Sequence, residues 1–224
     1  RPGASVRTMT RPSTADLRVV HVLRVKGFVD TPVVAEVAGL SEDEAATRLT
    51  ALEAAGHARH RDGRVSGWML TTDGRAHGEA LLADELADIG CRGEVEEAYR
   101  RFLEANQGFL GLCTDWQLRS DPEDPDGERI VNDHADAAHD EAVIGRLAET
   151  DAVIQPLCSA LAELLDRFGD YGGRFATALS RVQGGDLDWF TRPMIESYHT
   201  VWFELHENLL ATLGIQRARE QAAG

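Results

Sequence analysis

Apolar residues recur along the first third of the chain in short bursts, each closed by a glycine. Over 15–26 the apolar positions are Leu17, Val19, Val20, Val22, Leu23 and Val25, with Ser13 or Thr14 ahead as a cap and Gly27 behind as a stop. The β-branched content would also suit a strand. A capped segment of this length that ends on glycine is the commoner signature of a helix. Thr31-Pro32 opens a second helix, with threonine as cap, proline at the first helical position and Val33, Val34 and Val37 facing inward; Gly39 ends it. Ser41 caps a third helix, Glu44 completes a capping box, Leu49 and Leu52 point to the core, and Gly56 stops it. The pattern then changes to period two. Residues 57–61 and 65–70 read as short strands around the turn pair Asp62-Gly63, with Trp68 and Leu70 on one strand face.

Beyond Thr72-Asp73 the period is helical throughout. A segment through Leu81, Leu82 and Leu86 ends at 90–93, and a long amphipathic run follows over 94–118. The stretch 120–128, S-D-P-E-D-P-D-G-E, is an acidic loop without an apolar residue. Further helices are expected over 132–149, 151–168 and 171–183. Gly184-Gly185 breaks the pattern, and Pro193 opens a last helix running to about Leu213. The predicted fold class is therefore mainly α, with one two-stranded hairpin in the N-terminal third and an all-helical bundle after it. The expected domains are residues 9–90 and 91–224.

Composition narrows the function classes. The chain has 224 residues, 43% hydrophobic and 27% charged, an ordinary globular mixture. No run of about 18 apolar residues exists to span a membrane, and no signal peptide is visible at the start. Three widely spaced cysteines, Cys91, Cys113 and Cys158, suit a reducing cytoplasm better than a disulfide framework. Met9-Thr10 reads as a natural start. The net charge of −15 is uneven: residues 1–80 hold 11 Lys/Arg against 10 Asp/Glu, leaving 12 against 28 for the rest. A polyanion such as DNA would be repelled by the second part and could approach only the first.

Helix, helix, helix, two-stranded hairpin, helix is the order of a winged helix-turn-helix. The segments V-V-A-E-V-A-G-L-S (33–41), R-L-T-A-L-E-A-A-G (48–56), the hairpin to Leu70 and T-T-D-G-R (71–75) resemble bacterial winged-helix transcription regulators of the broad MarR-like type. The resemblance covers the first third and implies double-stranded DNA as partner. Helix three begins with Glu42, Asp43 and Glu44, which face a phosphate-lined groove poorly. The residues fitted for contact are Thr47, Arg48 and Thr50 on that helix and Arg59, His60, Arg61 and Arg64 on the hairpin. Arg7, Arg11, Arg18 and Arg24 add nearby charge. The hairpin arginines should matter more for affinity than the helix does.

The helical part offers two further sites. Asp136 and His139 share a helix face, as do His199 and His206 with Trp202 and Phe203 between them, and four such groups from two helices would suit zinc or another divalent metal. Alternatively, Trp116, Arg119, His199, Trp202 and His206 could line a pocket for a small effector, with the acidic loop as its gate. The bland readings are a polar core layer for the histidines, and core or dimer interface for the aromatics. No phosphate-binding glycine loop, G-x-S-x-G, H-E-x-x-H or C-x-x-C motif is present. Cys113 as a redox sensor has no basic neighbour in sequence to lower its pKa. The expectation is a cytoplasmic, non-enzymatic regulator, dimeric on a palindromic site, whose helical part binds an effector. The alternatives are a winged-helix adaptor that docks a protein partner and a metal-dependent helical enzyme.

Overall fold

The computed structural model describes residues 12–124 and 126–216. The expected start at Met9-Thr10 and the charges of Arg7 and Arg11 lie outside the described residues. Among the described residues the chain is mainly helical, with two small antiparallel two-stranded sheets. Among the described residues no helix is long and apolar enough to cross a membrane. The described residues form two compact units. One holds residues 12–96, Glu163–Arg167 and 204–216; the other holds Glu97–Ala162 and Phe168–Phe203. They are not two consecutive blocks divided near residue 90.

In the first unit, α1 (Ala15–Lys26), α2 (Thr31–Ala38) and α3 (Glu42–Ala54) precede strands β1 (Ala58–Arg61) and β2 (Gly67–Leu70), and α4 (Thr72–Ile89) follows. The caps carry much of this order. The Thr14 hydroxyl accepts from the Leu17 N–H at the start of α1, and Ser41 and Glu44 close a full capping box on α3. For α2 the cap is Asp30 rather than Thr31, because the Asp30 carboxylate accepts from the Val33 N–H at 3.1 Å. Its inward face is also shifted. Val34, Ala35 and Ala38 are buried, while Val37 is 48% exposed. The core joins Val19, Val20, Leu23, Val34, Ala45, Leu49, Ala58 and Leu70. Each large side chain buried here contributes about 1.5–3 kcal/mol.

The hairpin differs from its expected form. Arg61 pairs with Gly67, so five residues rather than two make the turn. Gly67 begins β2 because the backbone of Val29 crosses there: a Cβ at 67 would lie 2.9 Å from the Val29 carbonyl oxygen. Val29 forms a bridge with Trp68, hydrogen-bonded in both directions, which ties the α1–α2 connection to the hairpin.

In the second unit, the residues come from α5 (Arg92–Gln117), α6 (Ala137–Leu164), a 3-10 turn (Asp166–Phe168), α7 (Tyr171–Gln183), α8 (Asp188–Thr191) and α9 (Tyr198–Leu213). The helix expected to break near Glu149 instead continues for 28 residues and carries Pro156 inside it. No glycine interrupts 149–151, and the Thr150 hydroxyl donates to the Arg146 carbonyl at 3.0 Å, so the polar stretch is absorbed into the ladder. Residues 132–136 are not helical. The C-terminal part is also not wholly helical, because β3 (Leu118–Arg119) pairs with β4 (Ile130–Val131) and closes the base of the acidic loop. The last helix starts at Tyr198, five residues after Pro193: Met194 adopts φ 68°, and the Ser197 hydroxyl accepts from the Thr200 N–H as the cap.

The core of this unit is aromatic. Trp202 stacks on Phe109 at 4.2 Å and tilts against Phe102 at 5.0 Å, and Tyr198 sits 4.8 Å from Phe175. Such pairs add to the burial itself.

Candidate nucleic-acid interface

Three exposed arginines of the first unit lie on the hairpin, while Arg75 on α4 and Arg92 on α5 are exposed away from it. Arg59 and Arg61 are two apart on β1 and leave one strand face together, and Arg64 lies in the turn. All three are exposed, and none has an ion-pair or hydrogen-bond partner among the described residues. His60 is different. Its Nδ1 lies 3.3 Å from Asp62, its Nε2 3.3 Å from the Ser66 hydroxyl, and its ring 4.7 Å from Trp68. That cluster stiffens the turn and leaves the histidine engaged within it.

The residues predicted on α3 are occupied locally. The Thr47 hydroxyl donates to the Asp43 carbonyl at 2.8 Å and the Thr50 hydroxyl to the Ala46 carbonyl at 2.9 Å. Arg48 is held by Asp16 of α1. Glu42, Asp43 and Glu44 stand exposed in the first turn, and hydrogen bonds from Ser41 keep the Glu44 pKa below the usual carboxylate value. Arg24, expected to add positive charge, is paired with Glu207 at 2.9 Å.

The predicted effector residues have differing surroundings. Trp116 is buried against His134 at 4.5 Å and Phe190 at 4.6 Å. Trp202 is buried in the aromatic core, its indole N–H donating to Asn106 at 2.9 Å. Phe203, expected on the same face, is 46% exposed. Arg119 is paired with Asp133 at 3.2 Å. His199 is an exposed residue whose ring lies 6.2 Å from Phe109; the apolar surroundings on that side push its pKa down. His206 is buried and belongs to the first unit. A groove of about 260 Å³ between α5 and α6, lined by Arg101, Glu104, Ala105, Val153, Ile154 and Leu157, includes none of these residues. The expected gate is anchored at its base, where Arg129 bonds to the Leu118 carbonyl and to Asp115 at 2.9 Å.

The four predicted metal ligands are likewise not gathered into one shell. Asp136 accepts from the backbone N–H groups of Ala138 and His139, both at 3.1 Å, and so serves as the cap of α6. His139 Nε2 lies 2.8 Å from the Asp115 carbonyl. Among the described residues no group of three His, Cys, Asp or Glu is placed to hold a metal ion. Burial raises the pKa of all three thiols, those of Cys113 and Cys158 to about 12, which leaves no activated thiolate.

Within the segment N-D-H-A-D-A-A-H-D the structure selects other members. Asn132 and Asp140 are buried. His134 Nδ1 lies 3.0 and 3.1 Å from the two Asp140 oxygens, and Asn132 donates to Asp140 at 2.8 Å and to the Trp116 carbonyl at 3.1 Å. His134 has φ 59°, a strained conformation for a residue with a Cβ, and Asn132 holds it by accepting from its N–H at 3.1 Å. Helical spacing cannot find this cluster, because Asn132 and His134 precede the helix that carries Asp140.

No family model matches the chain, and no curated protein and no solved structure is significantly similar to it.

Proposed function

We propose that the chain is a DNA-binding transcription regulator. Its first unit acts as a winged helix-turn-helix of the broad MarR-like type, and its helical remainder provides dimerisation and an effector site. The observation that carries this reading is the set of three unpartnered guanidinium groups, Arg59, Arg61 and Arg64, on one exposed hairpin. Unpaired surface arginines retain their full attraction for phosphate. The order α1-α2-α3-β1-β2-α4, and the bridge from Val29 to Trp68 that braces the hairpin, support it. As a dimer the protein would present two such hairpins to one duplex.

The test is a gel shift of the purified full chain with DNA from upstream of its own gene at low salt. Binding is expected, and replacing Arg59, Arg61 and Arg64 together by alanine is expected to weaken it at least about tenfold, from three lost phosphate contacts. Unchanged binding by the triple variant would remove the hairpin from the interface. No shift with the wild-type chain would favour the protein-docking adaptor instead. Light scattering checks the dimer, and a monomeric mass at micromolar concentration would sink that element.

A further inference from the structure

Resting on the DNA-binding reading, we infer that the contact is independent of base sequence: the hairpin guanidiniums bind the phosphate backbone and α3 reads no base edge. Direct readout needs side-chain donors and acceptors free to meet bases in the major groove. The exposed positions of α3 supply no free donor, and the acceptors they leave are chiefly carboxylates. Thr47 and Thr50 spend their hydroxyl protons on the carbonyls four residues back. Arg48 is the only cation on the helix, and the pairing with Asp16 holds the guanidinium that would recognise guanine. Glu53 accepts from the His60 N–H at 3.1 Å, so it belongs to the hairpin's support. Ala46 and Ala51 have nothing to donate or accept.

The remaining polar groups are the carboxylates of Glu42, Asp43 and Glu44. These suit the helix N-terminus, where the macrodipole favours negative charge, but they are repelled by a groove walled with phosphates. The helix that a winged helix-turn-helix would insert is thus repulsive at its leading end and committed along its side. What stays free on the hairpin is the triad Arg59, Arg61 and Arg64, guanidinium forks that can pair with the phosphates of any duplex, and Arg75 on α4 is exposed and unpaired as well. The formal net charge of −15 works against them, so the affinity is modest and collapses with salt. Discrimination between sites then comes from partner proteins rather than from a code read by α3.

The experiment is fluorescence anisotropy of the full chain on unrelated duplexes, with parallel selection from a random library. Expected are dissociation constants within about threefold of one another, no enriched motif, and a log–log salt slope near about −2.7 for each chain engaged, from three phosphates at about 0.9 each. Each single alanine at Arg59, Arg61 or Arg64 should reduce the slope by about 0.9. The double variant Thr47→Val, Thr50→Val, which keeps shape and removes both hydroxyls, should bind like wild type. A selected sequence bound about 100-fold more tightly than the rest would overturn the inference and leave DNA binding standing, and loss of that preference in the double valine variant would assign the readout to α3. No binding to any duplex at about 50 mM salt, where phosphate contacts are strong, would overturn the DNA-binding reading itself and the inference with it.

Discussion

At His134 a side-chain network holds a backbone conformation that a residue with a Cβ ordinarily avoids. The left-handed φ of 59° persists because Asn132 accepts from the His134 N–H while donating to Asp140 and to the Trp116 carbonyl. Asn132 is therefore the keystone of the cluster. Asn132→Ala leaves a buried carboxylate and a carbonyl each short of a donor, and should cost about 1–3 kcal/mol, read from the urea midpoint. A loss below about 0.5 kcal/mol, the range of an ordinary surface change, would show that the network does not carry that weight. The residue scale is also where sequence reading was least secure. His134 and Asp140 flank Asp136 and His139 in the sequence, but which of the acidic and imidazole groups over 132–140 face each other depends on where α6 begins. That start is decided by the Asp136 cap.

Among the elements, those bounded by local chemistry were legible in advance. Glycine stops and hydroxyl caps act within one turn, so α1 and α3 follow from neighbouring residues alone. Elements bounded by tertiary contacts were not. The hairpin turn is longer than Asp62-Gly63 suggests because Val29 crosses at Gly67. The β3–β4 pair has two residues per strand, too few for any periodicity to register. The junction of hairpin and α4 is set by Gly74, where a Cβ would fall 1.8 Å from the His57 carbonyl oxygen. The Thr71 N–H donates to that same carbonyl at 3.0 Å, and the Thr71 hydroxyl is shared between it at 3.2 Å and the Gly56 carbonyl at 2.7 Å, so the His57 carbonyl cannot easily retreat. Gly74→Ala should destabilise the protein by about 1–3 kcal/mol or more through overpacking. It should also raise amide exchange in β1 before the other elements. Wild-type exchange across Ala58–Arg61 in the variant would contradict this account of the junction.

The first unit as a whole is built from three separated stretches of chain, and a buried polar network links them. Arg167 pairs with Glu85 and donates to Thr212 at 3.0 Å, while the Ser13 hydroxyl donates to Glu85 at 2.5 Å. Beside it His21 is buried, and neither ring nitrogen has a partner in hydrogen-bond geometry, although the Asn208 amide offsets part of the resulting shift. Burial first, then the charge of Arg167, lowers its pKa to about 3. Unfolded, the ring takes up its proton near pH 6.5; folded, it resists until about pH 3. The unfolded state therefore binds more protons across that window. The contribution to stability is full above about pH 6.5 and is lost as pH falls towards 3, on the order of a few kcal/mol in all. His21→Leu should make the stability difference between pH 7 and pH 4 smaller by that order, read from urea midpoints. An acid limb as steep as that of the wild type would assign it to other groups.

What the sequence determined by itself was set by short-range physics: a mainly helical chain, a capped three-helix segment leading into a hairpin, and a charge balance that places the usable cations near the N-terminus. Those features follow from steric, capping and periodic rules that act over a few residues. The tertiary structure decided which of the chemically capable groups remain free. Arg48 looked as available as Arg59, Arg61 and Arg64, and only its contact with Asp16, 32 residues away, separates it from them, whereas Thr47, Thr50 and His60 are engaged by near neighbours in the chain. The same holds for the aromatics and histidines proposed as a pocket or metal shell. Burial took Trp116, Trp202 and His206 while His199 stayed exposed, because a side chain's partners depend on distances in space that residue spacing does not encode.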